Sequence, residues 1–205
     1  MANVGLGSLT TLKRHVLASA LVLETRYDTQ LTAIGLGVAG QIEGYCNRKL
    51  QYTADDTITF DAARDHFYLP RAPVASVSSV ETKDDETTGW VTDSGQPIQI
   101  EESSGRIWFG GVYGTRSTLV RVTYTGGYWF DTSEDDSGSN TDSATELPGG
   151  IKLAWLLQCA ETWNQKDRLG VGIVSQEQTK ISIAKLDLAP TVKRLLAPYV
   201  RFQIS

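Results

Sequence analysis

The sequence predicts an α+β fold: a helical bundle of about four helices, with a β-rich module, a small barrel or a sandwich, inserted between the second and third. Two patterns predict it. Toward both ends of the chain, apolar residues recur at three- and four-residue steps, the period of a helix face. Through the middle, short runs alternate apolar and polar residues between Gly, Pro and Ser turns, the period of a strand. On this reading 1–50 and 147–205 form a helical body with a C-terminal arm and tail, 51–130 form the β module, and 131–146 form an acidic flexible loop.

Ser8 offers an N-cap for a helix that starts near Leu9. Its apolar stripe is Leu9, Leu12, Val16, Ala20 and Leu23, with Lys13 and Arg14 off the stripe. Tyr27-Asp28 breaks the pattern, and Asp28 offers a second cap. A second helix is expected from Thr29 to about Arg48, with Leu31, Ile34, Val38, Ile42 and Tyr45 as its stripe. Gly35, Gly37, Gly40 and Gly44 lie inside it. Each glycine costs about 1 kcal/mol against alanine in a helix, so their number calls for a reason. Ala33, Gly37, Gly40 and Gly44 fall at steps of four, three and four and make a smooth face. That face suits close packing of a helix in the same chain, or close approach of a neighbouring subunit. Either use is packing, not chemistry.

The middle segment reads as strands at Thr57–Phe60, His66–Leu69, Val74–Thr82, Ile98–Ile100, Arg106–Phe109 and Leu119–Tyr124. The last has the cleanest alternation, with Val120, Val122 and Tyr124 on one face. Gly126-Gly127 ends it, and the aromatic cluster Tyr128-Trp129-Phe130 follows. Residues 131–146 carry Asp131, Glu134, Asp135, Asp136, Asp142 and Glu146 and no Lys or Arg. So little apolar surface predicts an exposed, mobile loop.

Pro148 suits the first position of a third helix, expected to run to about Arg168. Ile151, Leu153, Ala154, Trp155, Leu156, Leu157, Cys159, Ala160 and Trp163 cover more than one face. That predicts burial on several sides, in the chain's own core or partly in a subunit interface. Lys166 and Arg168 suit the negative end of the helix dipole, and Gly170 suits its stop. Val171–Leu188 reads as an arm, with Ile181-Ser182-Ile183 extended. Pro190 opens a last helix with Val192, Leu195, Leu196 and Tyr199, ahead of the tail Arg201-Phe202-Gln203-Ile204-Ser205. The end of the chain is basic: Lys180, Lys185, Lys193, Arg194 and Arg201 face only Asp187.

Composition narrows the function. A chain of 205 residues buries roughly 70% of its unfolded surface and needs no disulfide or metal staple. A net charge of −5 argues against a protein that grips nucleic acid, though it would let DNA pass. Cys46 and Cys159 read as buried reduced thiols. No signal-peptide pattern follows Met1, and the longest apolar run, 31–40, is too short to span a bilayer. A soluble chain made in the cytosol is expected, with no membrane contact. His15 and His66 have no companions for a metal site, and neither CxxC, HExxH nor GxSxG occurs. Gly35-Leu36-Gly37-Val38-Ala39-Gly40 spells GxGxxG inside a helix, not at the strand-to-helix turn that cradles a dinucleotide. The acidic loop lacks EF-hand spacing. The expectation is a non-enzyme with no cofactor, no metal and no catalytic residue. The five tryptophans, with Tyr128 and Phe130, suit a core or an interface. The alternative is an aromatic-lined β binding module that holds a glycan, as in a tail or receptor-binding component.

Three stretches, in order, carry a resemblance. The first is Leu12-Lys13 and then Ile42-Glu43-Gly44-Tyr45-Cys46-Asn47-Arg48-Lys49-Leu50 at the end of the second helix. The second is Tyr68-Leu69-Pro70-Arg71-Ala72-Pro73-Val74, continued by Val77 and Val80. The third is Val120-Arg121-Val122-Thr123-Tyr124-Thr125-Gly126-Gly127-Tyr128, then Leu147-Pro148 opening the next helix. From Leu9 to Tyr199 the chain resembles the head–tail connector (adaptor) proteins of long-tailed bacteriophages and gene transfer agents, in particular the longer members with a β insertion. It departs in a longer acidic loop and in Gly126, where alanine is commoner. The resemblance implies a virion structural protein of the neck, between capsid portal and tail. There a homo-oligomeric ring of about twelve would sit beneath the portal protein, extend the channel for genomic DNA without sequence-specific binding, and offer a docking surface to the stopper or tail-completion protein. It implies portal docking by the C-terminal residues, with Tyr199, Arg201, Phe202 and Ile204 as candidates. It implies inter-subunit packing through Ala33, Gly37, Gly40, Gly44, Trp155 and Trp163. The acidic loop, Asp131 to Glu146, would lie at the channel or the outer rim.

Overall fold

The computed structural model describes residues 4–17, 21–61, 64–93, 98–113, 115, 118–165 and 187–201. Among these residues the fold is α+β, with four helices and two antiparallel sheets. It divides into a helical unit (Met1–Cys46, Asp131–Ser139, Pro148–Ser205) and a β unit (Asn47–Phe130, Asn140–Leu147).

The helical unit holds α1 (Leu9–Val16), α2 (Asp28–Cys46), α3 (Gly149–Gln165) and α4 (Pro190–Leu196), the last running into a 3-10 turn at Ala197–Tyr199. Ser8 is the N-cap of α1, its hydroxyl accepting from the Thr11 N–H at 3.0 Å. The helix is shorter than its apolar stripe. Leu17 turns to extended backbone, and Leu23 is 92% exposed. The expected extension through Ala20 to Leu23 is therefore corrected, Ala20 itself lying outside the described residues. Lys13, expected on the outer side, is buried. Its ammonium reaches the Glu24 carbonyl and the Asp28 carboxylate, each at 2.7 Å. Asp28 sits in the first turn of α2, where a negative charge opposes the positive helix end.

α3 buries Ile151, Ala154, Trp155, Gln158, Cys159 and Trp163, one face at helical spacing. Leu153 is exposed, so the expected burial on several sides is corrected to burial on one. Cys46 and Cys159 are buried thiols, and burial pushes the Cys159 thiol far above its ordinary value. The expected end of this helix at Arg168, its Gly170 stop and the arm to 186 lie outside the described residues.

The β unit holds β1 (Thr53–Asp61), β2 (Arg64–Tyr68), β3 (Val74–Lys83), β4 (Val91–Thr92), β5 (Ile98–Glu101), β6 (Arg106–Tyr113) and β7 (Leu119–Gly126). One sheet runs β1-β7-β3-β4 and the other β2-β6-β5. β7 is central because its alternation buries Val120, Val122 and Tyr124 along one face. Val122 pairs with Ile58 on one side and Val80 on the other. Phe67, Ile107 and Phe109 from the second sheet join the same apolar cluster. The module is thus a two-sheet sandwich, in which each such side chain contributes about 1.5–3 kcal/mol by burial. Trp129 exchanges backbone bonds with Thr145 and Leu147, at 2.8 and 2.9 Å. That ties 140–147 to the β unit, while 131–139 belong to the helical one.

Tyr124 carries a polar anchor within this unit. Its hydroxyl accepts from the Arg71 N–H at 3.2 Å and donates to Asp56, 3.3 Å away. Arg71 also pairs with Asp56 at 2.7 Å. Burial pushes the Tyr124 phenol up to about 12. An unfolded tyrosine ionises near 10, so the folded form holds its proton longer. The stability that follows is complete below about pH 10 and is lost as the pH rises from there toward 12. Denaturant midpoints across that window should fall more steeply for the natural protein than for Tyr124→Phe; equal slopes would contradict this.

Candidate functional site

The smooth face of α2 is open. Ala33, Gly37, Gly40 and Gly44 are exposed, and a Cβ added at any of the three glycines meets nothing within 4 Å. Packing of this face inside the chain is therefore corrected. The glycine that α2 uses internally is Gly35. A Cβ there would stand 2.2 Å from the Val4 carbonyl oxygen, so the segment before α1 lies directly on the α2 backbone. Gly5, at φ +118°, would strike the Gly35 oxygen, and Gly7 would strike the Trp155 ring. Trp155 completes the cluster by donating its indole N–H to the Gly35 carbonyl at 3.0 Å. The sequence held a signal for this: Val4 and Leu6 alternate with Gly5 and Gly7 ahead of the cap at Ser8.

Trp155 and Trp163 are corrected as inter-subunit residues. Trp155 has no exposed surface and Trp163 almost none, and Trp163 meets Tyr27 edge to face at 5.4 Å. A side chain spent on its own core cannot face a neighbour.

The acidic loop, expected to be exposed and mobile, forms a strap hydrogen-bonded to the start of α1 over its first half. The Glu134 carbonyl accepts from the Thr10 N–H at 3.0 Å and from its hydroxyl at 2.6 Å. Asp136 accepts from the Ser8 hydroxyl, from the Thr11 hydroxyl at 2.8 Å and from Arg14 at 3.0 Å. The carboxylate thus sits at the start of α1, where unpaired N–H groups favour negative charge. Burial opposes ionisation of Asp131, yet bonds from Ser133 and Gly138 outweigh it and hold the carboxyl below its ordinary value. Ser137 does the same for Asp135. Asp142 is exposed, and Glu146 bridges to Trp129 in the β unit. Asp136→Ala should lower stability by about 1–3 kcal/mol and speed hydrogen exchange at Thr10 and Thr11. Unchanged exchange there would remove the strap from the account.

At the C-terminus, Tyr199 lies over Gly150 at the start of α3. The Arg201 N–H donates to the Cys46 carbonyl at 3.0 Å. Phe202 and Ile204 lie outside the described residues. On the β unit, Arg106 stands 3.8 Å from the Trp108 ring centroid and Arg121 4.2 Å from that of Trp90. Both tryptophans thus have a ring face taken by a guanidinium, which an open sugar platform would need free. Among the described residues no three His, Cys, Asp or Glu side chains gather as a metal would require, and no helix is long and apolar enough to cross a membrane.

No protein-family model matches the chain, and no curated protein matches it. Solved structures do. A chain in the virion of a native gene transfer agent particle aligns with a TM-score of 0.60 at 16% identity, over 96% of this chain and 90% of that one. A chain in the neck of an empty particle, computed with C6 symmetry, aligns at 0.59 and 15% identity, and one in the neck of a native particle, computed with C12 symmetry, at 0.54 and 15%. Both have the same coverage of 96% and 90%. At such identities the likeness is one of fold: nearly the whole chain is folded like chains of gene transfer agent particles and their necks.

Proposed function

We propose that this protein is a structural, non-enzymatic head–tail connector (adaptor) subunit, located in the virion neck of a tailed phage or gene transfer agent. The observation that carries the reading is the fold, shared over 96% of the chain with neck chains. On this reading the β sandwich is an insertion in one helical body. A ring of about twelve copies, made by one heterologous contact repeated around an axis, extends the DNA channel below the portal and receives the stopper or tail. The acidic loop adds negative charge near channel or rim, where DNA slides without sticking.

The open α2 face supports the ring. Gly37, Gly40 and Gly44 each weaken an isolated helix by about 1 kcal/mol and relieve no crowding within the chain. Replacing all three by alanine should therefore raise the denaturation midpoint of the free chain and reduce ring assembly. A triple variant that assembles normally would remove this face from the interface.

Portal docking is assigned to the C-terminal segment around Tyr199, Arg201, Phe202 and Ile204. Because Tyr199 and Arg201 are tied into the helical unit, the informative truncation removes only Phe202–Ser205. It should weaken binding to the portal of the same particle while circular dichroism stays unchanged. The function itself is tested by co-purification of the full-length chain with that portal. Co-elution supports it, and no association in any salt condition contradicts it.

A further inference from the structure

The helical unit has an open groove of about 450 Å³ lined by α2, α3 and the turn into α4. Its α2 side is low and apolar: Ala33, Ile34, Gly37 and Val38. Ala189 and Pro190 line it from the start of α4. The polar lining is rich in carboxamides, from Gln41, Gln158 and Gln165. Gln158 is only 6% exposed. Its Oε1 accepts from the Ala189 N–H at 2.9 Å, so what it can offer an occupant is its Nε2 donor. Two carboxylates border the groove. Asp187 is paired with Lys193 at 2.7 Å. Glu161 accepts only from Gln165 and has no cation beside it among the described residues.

This lining selects an occupant. Gln158 offers a donor, and the carboxamide oxygens of Gln41 and Gln165 offer acceptors, a set that matches a peptide main chain. Small apolar walls take aliphatic side chains. A lone carboxylate takes a lysine or arginine and repels phosphate. The occupant is then an extended peptide, aliphatic at alternate positions and basic at its ends. In this sequence Lys180-Ile181-Ser182-Ile183-Ala184-Lys185 has that chemistry. The two residues that flank 166–186, Gln165 and Asp187, both line the groove. A connection of that length, extended, can reach roughly 30 Å out and back, enough to meet an adjacent copy.

We infer that the α2–α3 groove of each copy receives the Lys180–Lys185 segment of the next copy, with a lysine at Glu161. The exchange is heterologous and leaves no groove empty in a closed ring. It rests on the ring reading above.

The test uses two differently tagged full-length chains co-assembled with the portal. One carries Glu161→Cys, and the other Lys180→Cys or Lys185→Cys. A short bismaleimide is added; Cys46 and Cys159 are buried and stay unreactive. The expected product is a cross-link between the two tags. It should be lost when Gln41→Trp, at a groove-lining position outside the smooth glycine face, is added to the Glu161→Cys chain. Rings that form with no cross-link from either lysine position overturn the exchange alone. So does a cross-link that forms only within a control chain given both cysteines and never between the two tags, which would place the segment in its own groove. Absence of any ring overturns the exchange and the ring reading together.

Discussion

Trp155→Ala is expected to lower the stability of the helical unit by about 3–5 kcal/mol, the range for truncating a buried aromatic side chain. Against a typical total of about 5–15 kcal/mol, such a loss leaves the unit close to unfolding at ordinary temperature. The size follows from position. The ring is fully buried, it covers Gly7, and its N–H satisfies the Gly35 carbonyl. Truncation opens a cavity and orphans a buried acceptor at once. Trp155→Phe separates the two effects, since it keeps most of the volume and removes the donor; a loss of about 1–2 kcal/mol is expected from it. Urea midpoints measure both. Hydrogen exchange should show weakened protection in α1, α2 and α3. A Trp155→Ala chain within 1 kcal/mol of the natural protein would mean that this cluster does not hold the helices together.

Gly35→Ala is the second large effect, and its sign runs against helix propensity. In an exposed helix the change would stabilise by about 1 kcal/mol. Here the new methyl would stand 2.2 Å from the Val4 carbonyl oxygen, and backbone atoms must move to admit it. Overpacking of this kind costs about 1–3 kcal/mol and sometimes more. A net destabilisation is therefore expected, with release of the segment 4–7 from α2. Gly37→Ala, one turn face away and with nothing within reach, is the matched control and should stabilise the free chain. If both substitutions shift the urea midpoint in the same direction, the distinction between an internally used glycine and an open one fails.

Those two glycines show what the sequence could and could not disclose. Glycine spacing along α2 marked a smooth face at 33, 37, 40 and 44, and those positions are indeed exposed. Spacing could not disclose that Gly35 touches residues far upstream, because close approach is a property of two segments. Strand periodicity located β7, whose burial alternates residue by residue, while β1, β2, β3, β5 and β6 were legible as short apolar runs between turn residues. β4 is two exposed residues at a sheet edge and has no period to read. Lys13 looked like a surface residue because charge is usually solvated; Glu24 and Asp28 supply what water would. The contacts of the acidic strap were illegible for a related reason. Composition registers the missing apolar surface but not the hydroxyls of Ser8, Thr10 and Thr11, which hold Glu134 and Asp136 in place. The apolar residues of α3 were too many for one face in the sequence. In the fold, Trp155 and Trp163 share the buried face and Leu153 faces out.

Assembly is where the account is most exposed. A cryo-electron microscopy map of the particle neck, or of this chain co-expressed with the portal of its own particle, tests it most directly. The account predicts a closed ring of about twelve copies beneath the portal, coaxial with the DNA channel, with the α2 glycine face at the contact between neighbours. A neck in which this chain is absent, or sits outside any ring as isolated copies, would contradict it.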